Sequence, residues 1–169
     1  MSNKRQMIVK ILLIVLTILV MIFIFKMSAM EAEESSQLST SVGYTVGEIV
    51  VEGFNEMSDA EQQQYVDGIE HPLRKLAHFS EFAALGFLLL LDVVAFTKFS
   101  QFKRFLIAVI MGLIYAASDE LHQTLVSGRS CEFKDVMIDV SGVITGCIVA
   151  TVMTALFIHL YYKKKEMTS

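Results

Sequence analysis

The sequence predicts an all-α integral membrane protein, a bundle of four transmembrane helices with a helical extracytoplasmic segment between the first and second. Two observations carry this. Of the 169 residues 54% are hydrophobic, and the mean hydropathy is +0.55, a membrane composition. The apolar residues also gather in long blocks rather than periodic stripes. A block of about 20 such residues, at roughly 1.5 Å rise each, crosses a hydrocarbon core near 30 Å thick. A lone span in lipid must satisfy its own backbone polar groups, so each block has to be helical.

The first block, residues 7–25, is interrupted only by Lys10 and Thr17; Lys10 lies one turn inside the end, where its stem can snorkel. Lys4 and Arg5 ahead of an apolar run also fit a signal peptide. The run is long and no small-x-small cleavage site follows, which favours a retained anchor.

Residues 27–73 carry ten carboxylates and no Lys or Arg, as an extracytoplasmic segment can. Within them Val42, Val46, Ile49, Val50 and Phe54 recur at helical spacing. They predict an amphipathic helix lying on the outer leaflet or over the bundle. Ser58 to Glu61 has the form of a capping box, which starts a second short helix through Gln62, Gln63 and Gln64. A solvated helical linker is the plainer reading of this segment, a lid the sharper one. Gly68 and Pro72 are expected to break the chain before the next span.

The second span runs over residues 76–97 and carries His78, Glu81 and Asp92; the third, residues 105–126, is apolar until Asp119; the fourth, residues 136–162, has Asp139 near its start. The chain therefore divides into an N-terminal anchor (1–26), an extracytoplasmic helical segment (27–73), a three-helix transmembrane core (74–162) and a basic tail (163–169).

Lys4, Arg5 and Lys10, then Lys98, Lys103 and Arg104, then Lys163, Lys164 and Lys165 all fall on one side of this array. By the positive-inside rule that side is the cytoplasm, with both termini in it. Cys147 lies about three turns down the fourth span and Cys131 in the outer loop. Their separation exceeds the Cα distance of about 7 Å that a disulfide tolerates, so no bridge is expected. No phosphate loop or paired-cysteine metal motif occurs, and a pI near 5.5 gives no reason to expect nucleic acid.

The stretch from Asp119 to Asp139 concentrates ionisable groups between two apolar blocks. With the topology above, His78 and Glu81 lie in the outer third of the second helix. Asp119 and Glu120 sit about 21 Å up the third, and Asp139 about one turn inside the fourth. These groups share one depth. Lys75, His78 and Glu81 step by three along one helix side; Asp119 and Gln123 are four apart, above Ala116 and Gly112; Asp135, Asp139, Gly142, Gly146 and Ala150 form a stripe. Charges within spans face a bundle interior or a wet cavity, because facing lipid costs at least a few kcal/mol each. A polar pocket opening outward follows, rimmed by Arg74, Lys75 and Arg129. Ligand-binding candidates are Lys75, His78, Glu81, Asp119, Glu120, Gln123, Arg129, Asp135 and Asp139.

Plainer readings stand beside these. Arg129 could simply pair with Asp135 or Glu120, and the GxxxG of Gly142 and Gly146 recurs by chance in apolar helices. Asp92 reads as a boundary carboxylate near Lys98 or Arg104, Glu132 and Lys134 as solvated loop charges, and His159 as an interface residue. His122 suits the lipid interface as well as a site.

Taken together, Lys75-Leu-Ala-His78-Phe-Ser-Glu81-Phe, Ser118-Asp119-Glu120-Leu-His-Gln123, Gly128-Arg129 and the spaced Asp135, Asp139 and Gly142 resemble the VanZ-like family of small bacterial membrane proteins. The resemblance covers roughly residues 73–146. The family often has Phe and Pro before the Gly-Arg pair and Asn before the later Gly; here Leu125, Val126 and Ser127 precede Gly128, and Val140 and Ser141 precede Gly142. The namesake is associated with low-level resistance to teicoplanin, by a route separate from remodelling of the peptidoglycan target. What the resemblance implies is thus a role in the envelope or in antibiotic response, without a reaction.

Two mechanisms compete. In the first, a non-enzymatic protein binds a membrane lipid or lipid-linked amphiphile, with Arg74, Lys75 and Arg129 on its anionic group. In the second, an intramembrane enzyme acts on a lipid-linked substrate. Its catalytic candidates are Glu81, Asp119 and Glu120, and its candidate metal ligands His78, Glu81, Asp119 and Glu120. HxxE alone is short, so no cofactor is firmly indicated. Proton-coupled transport ranks third, because four spans need oligomerisation to enclose a pathway; a homo-oligomer stays open.

Overall fold

The computed structural model describes residues 3–129 and 132–166, apart from the side chains of 162, 165 and 166. Among them five α-helices form: α1 (Asn3–Ser28), α2 (Ala32–Val50), α3 (Asp59–Phe96), α4 (Gln101–Gln123) and α5 (Phe133–Glu166), with one 3-10 turn at Phe54–Glu56. Four are long and apolar enough to cross a membrane, namely α1, α3, α4 and α5 over Phe133–Tyr161. Most of their apolar side chains point outward; Met7, Leu19 and Leu12 on α1 are each more than half exposed, as lipid-facing residues are.

Lipid tails are as apolar as leucine, so helices in a bilayer associate by close packing and interhelical hydrogen bonds rather than by a hydrophobic effect. The glycines of α3 and α5 supply the packing. A Cβ on Gly142 would land on the Phe79 carbonyl oxygen, one on Gly146 on the Ala83 carbonyl, and one on Gly86 on the Val143 backbone. The two backbones touch along this seam, and Cys147 Sγ donates to the Gly86 carbonyl at 3.3 Å. GxxxG here is a working contact. Gly112 on α4 accepts the Val143 side chain, closing a core with Phe82, Leu85, Leu89, Leu90, Ala108 and Ala116. Cys147 is a free buried thiol; Cys131 lies outside the described residues.

α1 is docked by polar contacts. Thr17 Oγ1 donates to Asp92 Oδ2 at 2.6 Å, the Tyr115 hydroxyl donates to the Met21 carbonyl at 2.6 Å, and the Phe25 ring stacks on His122 with centroids 4.3 Å apart. Asp92 is therefore no boundary carboxylate paired with Lys98 or Arg104. It takes a hydroxyl from α1, while Arg104 donates to the Thr97 carbonyl at 2.9 Å. Lys10 lies 4.9 Å above the Phe96 ring, a cation–π contact at the helix end.

The second span is the lower part of one 38-residue helix that begins at the capping box. Ser58 N donates to Glu61 Oε2 at 2.9 Å and Glu61 N to Ser58 Oγ at 3.4 Å. The hydrogen bonds from Ser58 hold the Glu61 carboxyl below its ordinary value of 4.5. Helix α3 runs through Gly68 and Pro72 without the break expected there. A proline inside a helix removes one hydrogen bond and crowds the carbonyl four residues back. That residue is Gly68, exposed and with open space around it, so the vacated carbonyl meets solvent.

Helix α2 leans on this upper half of α3, but not through its valines. Gly43 abuts Val66 and Gly47 abuts Phe54; Ile49 and Val50 stay 78% and 69% exposed. Tyr44 Oη donates to Gln63 Oε1 at 2.7 Å and Ser36 Oγ to Glu70 Oε1 at 3.0 Å. Val42, Val46, Ile49 and Val50 lie on one helix as expected, whereas Phe54 falls beyond its end, buried in the 3-10 turn; the glycines of α2 make the contacts because they admit close approach.

Candidate functional site

The tight α3–α5 seam sets His78 against the start of α5, where Asp139, one turn before Gly142, is 1% exposed. Helix α4 brings Asp119, Glu120 and Gln123 to the same place, all buried. Asp119 is held from one side: Ser28 Oγ donates to its Oδ2 at 2.7 Å and Gln123 Nε2 to the same oxygen at 3.2 Å. Among the described residues its Oδ1 is buried without a hydrogen-bond partner, as is Oδ2 of Asp139. One ligand atom each from His78, Asp119 and Asp139 lie within 4.8 Å of one another. Three helices thus converge on one point.

Above this point the chain turns back after α4. Gly128 takes φ 75°, which costs glycine nothing and other residues more. The Ala32 N–H donates to the Ser127 carbonyl at 3.3 Å, tying the start of α2 to the turn. Arg129 follows, and with Arg74, Lys75, His71, Gln123 and Asp135 lines an open cavity of about 240 Å³. Asp135, offered by the sequence as a partner for Arg129, forms an ion pair with Lys75 instead. Arg74 Nη2 lies 3.7 Å from Glu70 Oε1. Burial, then the neighbouring Arg74 cation, lower the Arg129 pKa, while Asp119 and Glu120 oppose them; a guanidinium keeps its charge regardless. Glu120 accepts the Glu132 N–H at 3.3 Å, so Glu132 contributes its backbone to the site.

Beside this mouth, between α2 and α3, runs an apolar groove of about 290 Å³ lined by Met27, Leu38, Val42, Leu73, Leu76 and Ala77. Arg74 and His78 line both groove and mouth. Glu81 sits on the groove wall, with Oε2 buried and, among the described residues, without a hydrogen-bond partner, and it interacts electrostatically with Asp119. Below the mouth an enclosed space of about 10 Å³ is bounded by Lys75, His78, Glu120, Asp135, Ile138 and Asp139.

Eight of the nine ligand-binding candidates line the groove, the mouth or the small space below it, and the ninth, Asp119, lies against His78 and Asp139. The cluster of ligand atoms differs from the metal set read in the sequence: it takes Asp139 and omits Glu81 and Glu120. Helix phase explains this, since Glu81 turns toward the groove and Glu120 toward the loop. Sequence reading missed Ser28 and His71. Ser28 ends the first span at the depth assigned to Asp119, a signal that was present but carried no periodicity.

Fold and site together define a small multispanning helical membrane protein with a charged pocket at one end of its bundle. The chain belongs to the VanZ/LLP1 family, whose model matches residues 13–156. The match reaches into α1 and takes in the whole of α2, beyond the motifs on α3 to α5. No curated protein and no solved structure matches it.

Proposed function

We propose that this protein is an envelope component of the bacterial cytoplasmic membrane that binds an anionic amphiphile from the outer leaflet, and that this binding contributes to glycopeptide or lipoglycopeptide resistance. One observation carries the proposal: an apolar groove and a cationic mouth adjoin, sharing Arg74 and His78. Ligand sites are mainly apolar with a few convergent polar groups, and an acyl chain joined to a phosphate or carboxylate has that division. The guanidinium of Arg129 can grip such oxygens as a planar fork. The basic ends of the spans orient both termini to the cytoplasm, which puts the mouth on the outer face.

Native mass spectrometry of gently solubilised protein tests the binding. Phosphatidylglycerol should be retained in preference to phosphatidylcholine. Ala77 is exposed and lines the groove, so Ala77→Phe fills it without touching the core. The variant is expected to reach normal abundance and to lose the phosphatidylglycerol adduct. Equal retention by the variant and the parent would contradict the groove as the binding place.

A further inference from the structure

From the convergence of His78, Asp119 and Asp139 we infer that this protein holds one divalent transition-metal ion between α3, α4 and α5, beneath the cationic mouth. The inference does not rest on amphiphile binding. Its ground is a donor set of one imidazole and two carboxylates whose ligand atoms lie within 4.8 Å of one another. Bond lengths of about 2.0–2.2 Å to nitrogen and oxygen put neighbouring ligands about 3.3 Å apart around a tetrahedral ion. Side-chain rotation closes the difference.

Three further observations point to an ion. Asp119 and Asp139 are 3% and 1% exposed, and among the described residues each keeps one buried oxygen without a hydrogen-bond partner. Carboxylates so placed require a counter-charge. Lys75, which acts on Asp139, is already engaged by Asp135, and the single charge of Arg129 is shared between Asp119 and Glu120. Next, both hydrogen bonds to Asp119 fall on Oδ2, from Ser28 at 2.7 Å and Gln123 at 3.2 Å. Outer-shell donors of this kind fix a ligating carboxylate and leave its other oxygen for the metal. Finally, the enclosed space of about 10 Å³ that His78 and Asp139 border is the size that a single water needs. His78, Lys75 and Asp135 also line the mouth, so the site has a route to solvent.

Imidazole with two carboxylates and no thiolate suits Zn²⁺ over the soft Cu(I), and over Mg²⁺, which prefers oxygen ligands and retained waters. Three protein ligands leave a coordination position for water or an oxyanion. The alternative counter-charge is a proton shared between the two carboxylates.

The test uses untagged full-length protein in neutral detergent, stripped with a chelator and titrated with Zn²⁺ by calorimetry, with Mg²⁺ as comparator. One Zn²⁺ should bind per chain, raise the unfolding temperature by holding three helices together, and be unaffected by Mg²⁺ in equimolar amount. Asp139→Asn keeps the side-chain shape and removes a buried charge, so the stripped variant should unfold no earlier than the parent while losing the zinc-dependent rise. Ser28→Ala, which frees the outer-shell oxygen of Asp119, should weaken zinc about 10-fold or more. No saturable zinc binding, or binding undiminished in Asp139→Asn, would overturn the site and favour the shared proton. Retention of phosphatidylglycerol is unaffected by that outcome, so the two proposals fail separately.

Discussion

Gly146→Leu is expected to abolish the folded bundle. The first carbon of any side chain at Gly146 would fall on the Ala83 carbonyl and press on the Phe87 backbone nitrogen. A flexible neighbour could move aside; a helix backbone cannot without separating α3 from α5. Overpacking in a yielding core costs about 1–3 kcal/mol, and here the expected cost is about 3 kcal/mol or more, because the seam also positions His78 against Asp139. The measurement is the fraction of monodisperse protein after mild detergent extraction, with Gly68→Leu as control. Gly68 has nothing within 4 Å of its added Cβ, so that variant should extract normally.

Arg129→Lys should abolish any envelope-drug phenotype of the protein while leaving membrane abundance unchanged. Lysine preserves the positive charge that Asp119 and Glu120 experience, so the acidic interior stays balanced and the bundle assembles. It loses the planar fork that takes two oxygens at once. Hydrogen bonds to charged groups contribute about 1.5–3 kcal/mol, so affinity for phosphatidylglycerol should fall about 10-fold or more. Arg129→Ala removes the charge as well and is expected to lower both abundance and resistance. Drug susceptibility beside quantitative immunoblotting separates these results. A fully active lysine variant would make Arg129 a charge-balancing residue and leave the mouth without its recognition role.

What the sequence makes legible and what it hides follow one physical division. The four spans are legible because hydropathy is a local property, and the shared depth of His78, Glu81, Asp119 and Asp139 is legible because it can be counted from span ends; which of them meet is not, and His78 rather than Glu81 joins the two aspartates. The α3–α5 seam is half legible: the spacing of Gly142 and Gly146 announces a close approach, but Phe79 and Ala83 are backbone partners with no sequence signal. The docking of α1 is hidden. Thr17 and Ser28 look like incidental hydroxyls in an anchor until Asp92 and Asp119 are found opposite them at 2.6 and 2.7 Å. An apolar helix with no polar face gives no rotation from sequence, so neither partner could be assigned. Pro72 misleads in the other direction. Its local cost is real, but the carbonyl it vacates belongs to Gly68, which is exposed, and the helix continues through it.

The docked hydroxyl of Ser28 also changes how α1 is understood. An anchor serves only to hold a domain at the membrane, whereas here the first span completes the hydrogen bonding of a buried carboxylate on α4. Its neighbour Met27 lines the groove, and the turn after α4 is tied to Ala32 through Ser127. The N-terminal half of the chain therefore shapes the site, in keeping with a family match that begins at residue 13.

An anionic amphiphile bound as proposed lies with its chain between α2 and α3 and its headgroup at Arg129. Photocrosslinking tests this placement most directly, using phosphatidylglycerol with a diazirine in the acyl chain, irradiated in native membranes and mapped by peptide mass spectrometry. Adducts are expected at Leu38, Val42, Leu76 and Ala77, competed by unlabelled phosphatidylglycerol but not by phosphatidylcholine, and lost in Arg129→Lys. Adducts spread evenly over the lipid-facing residues of α1 and α5, with no competition and no response to Arg129→Lys, would contradict it.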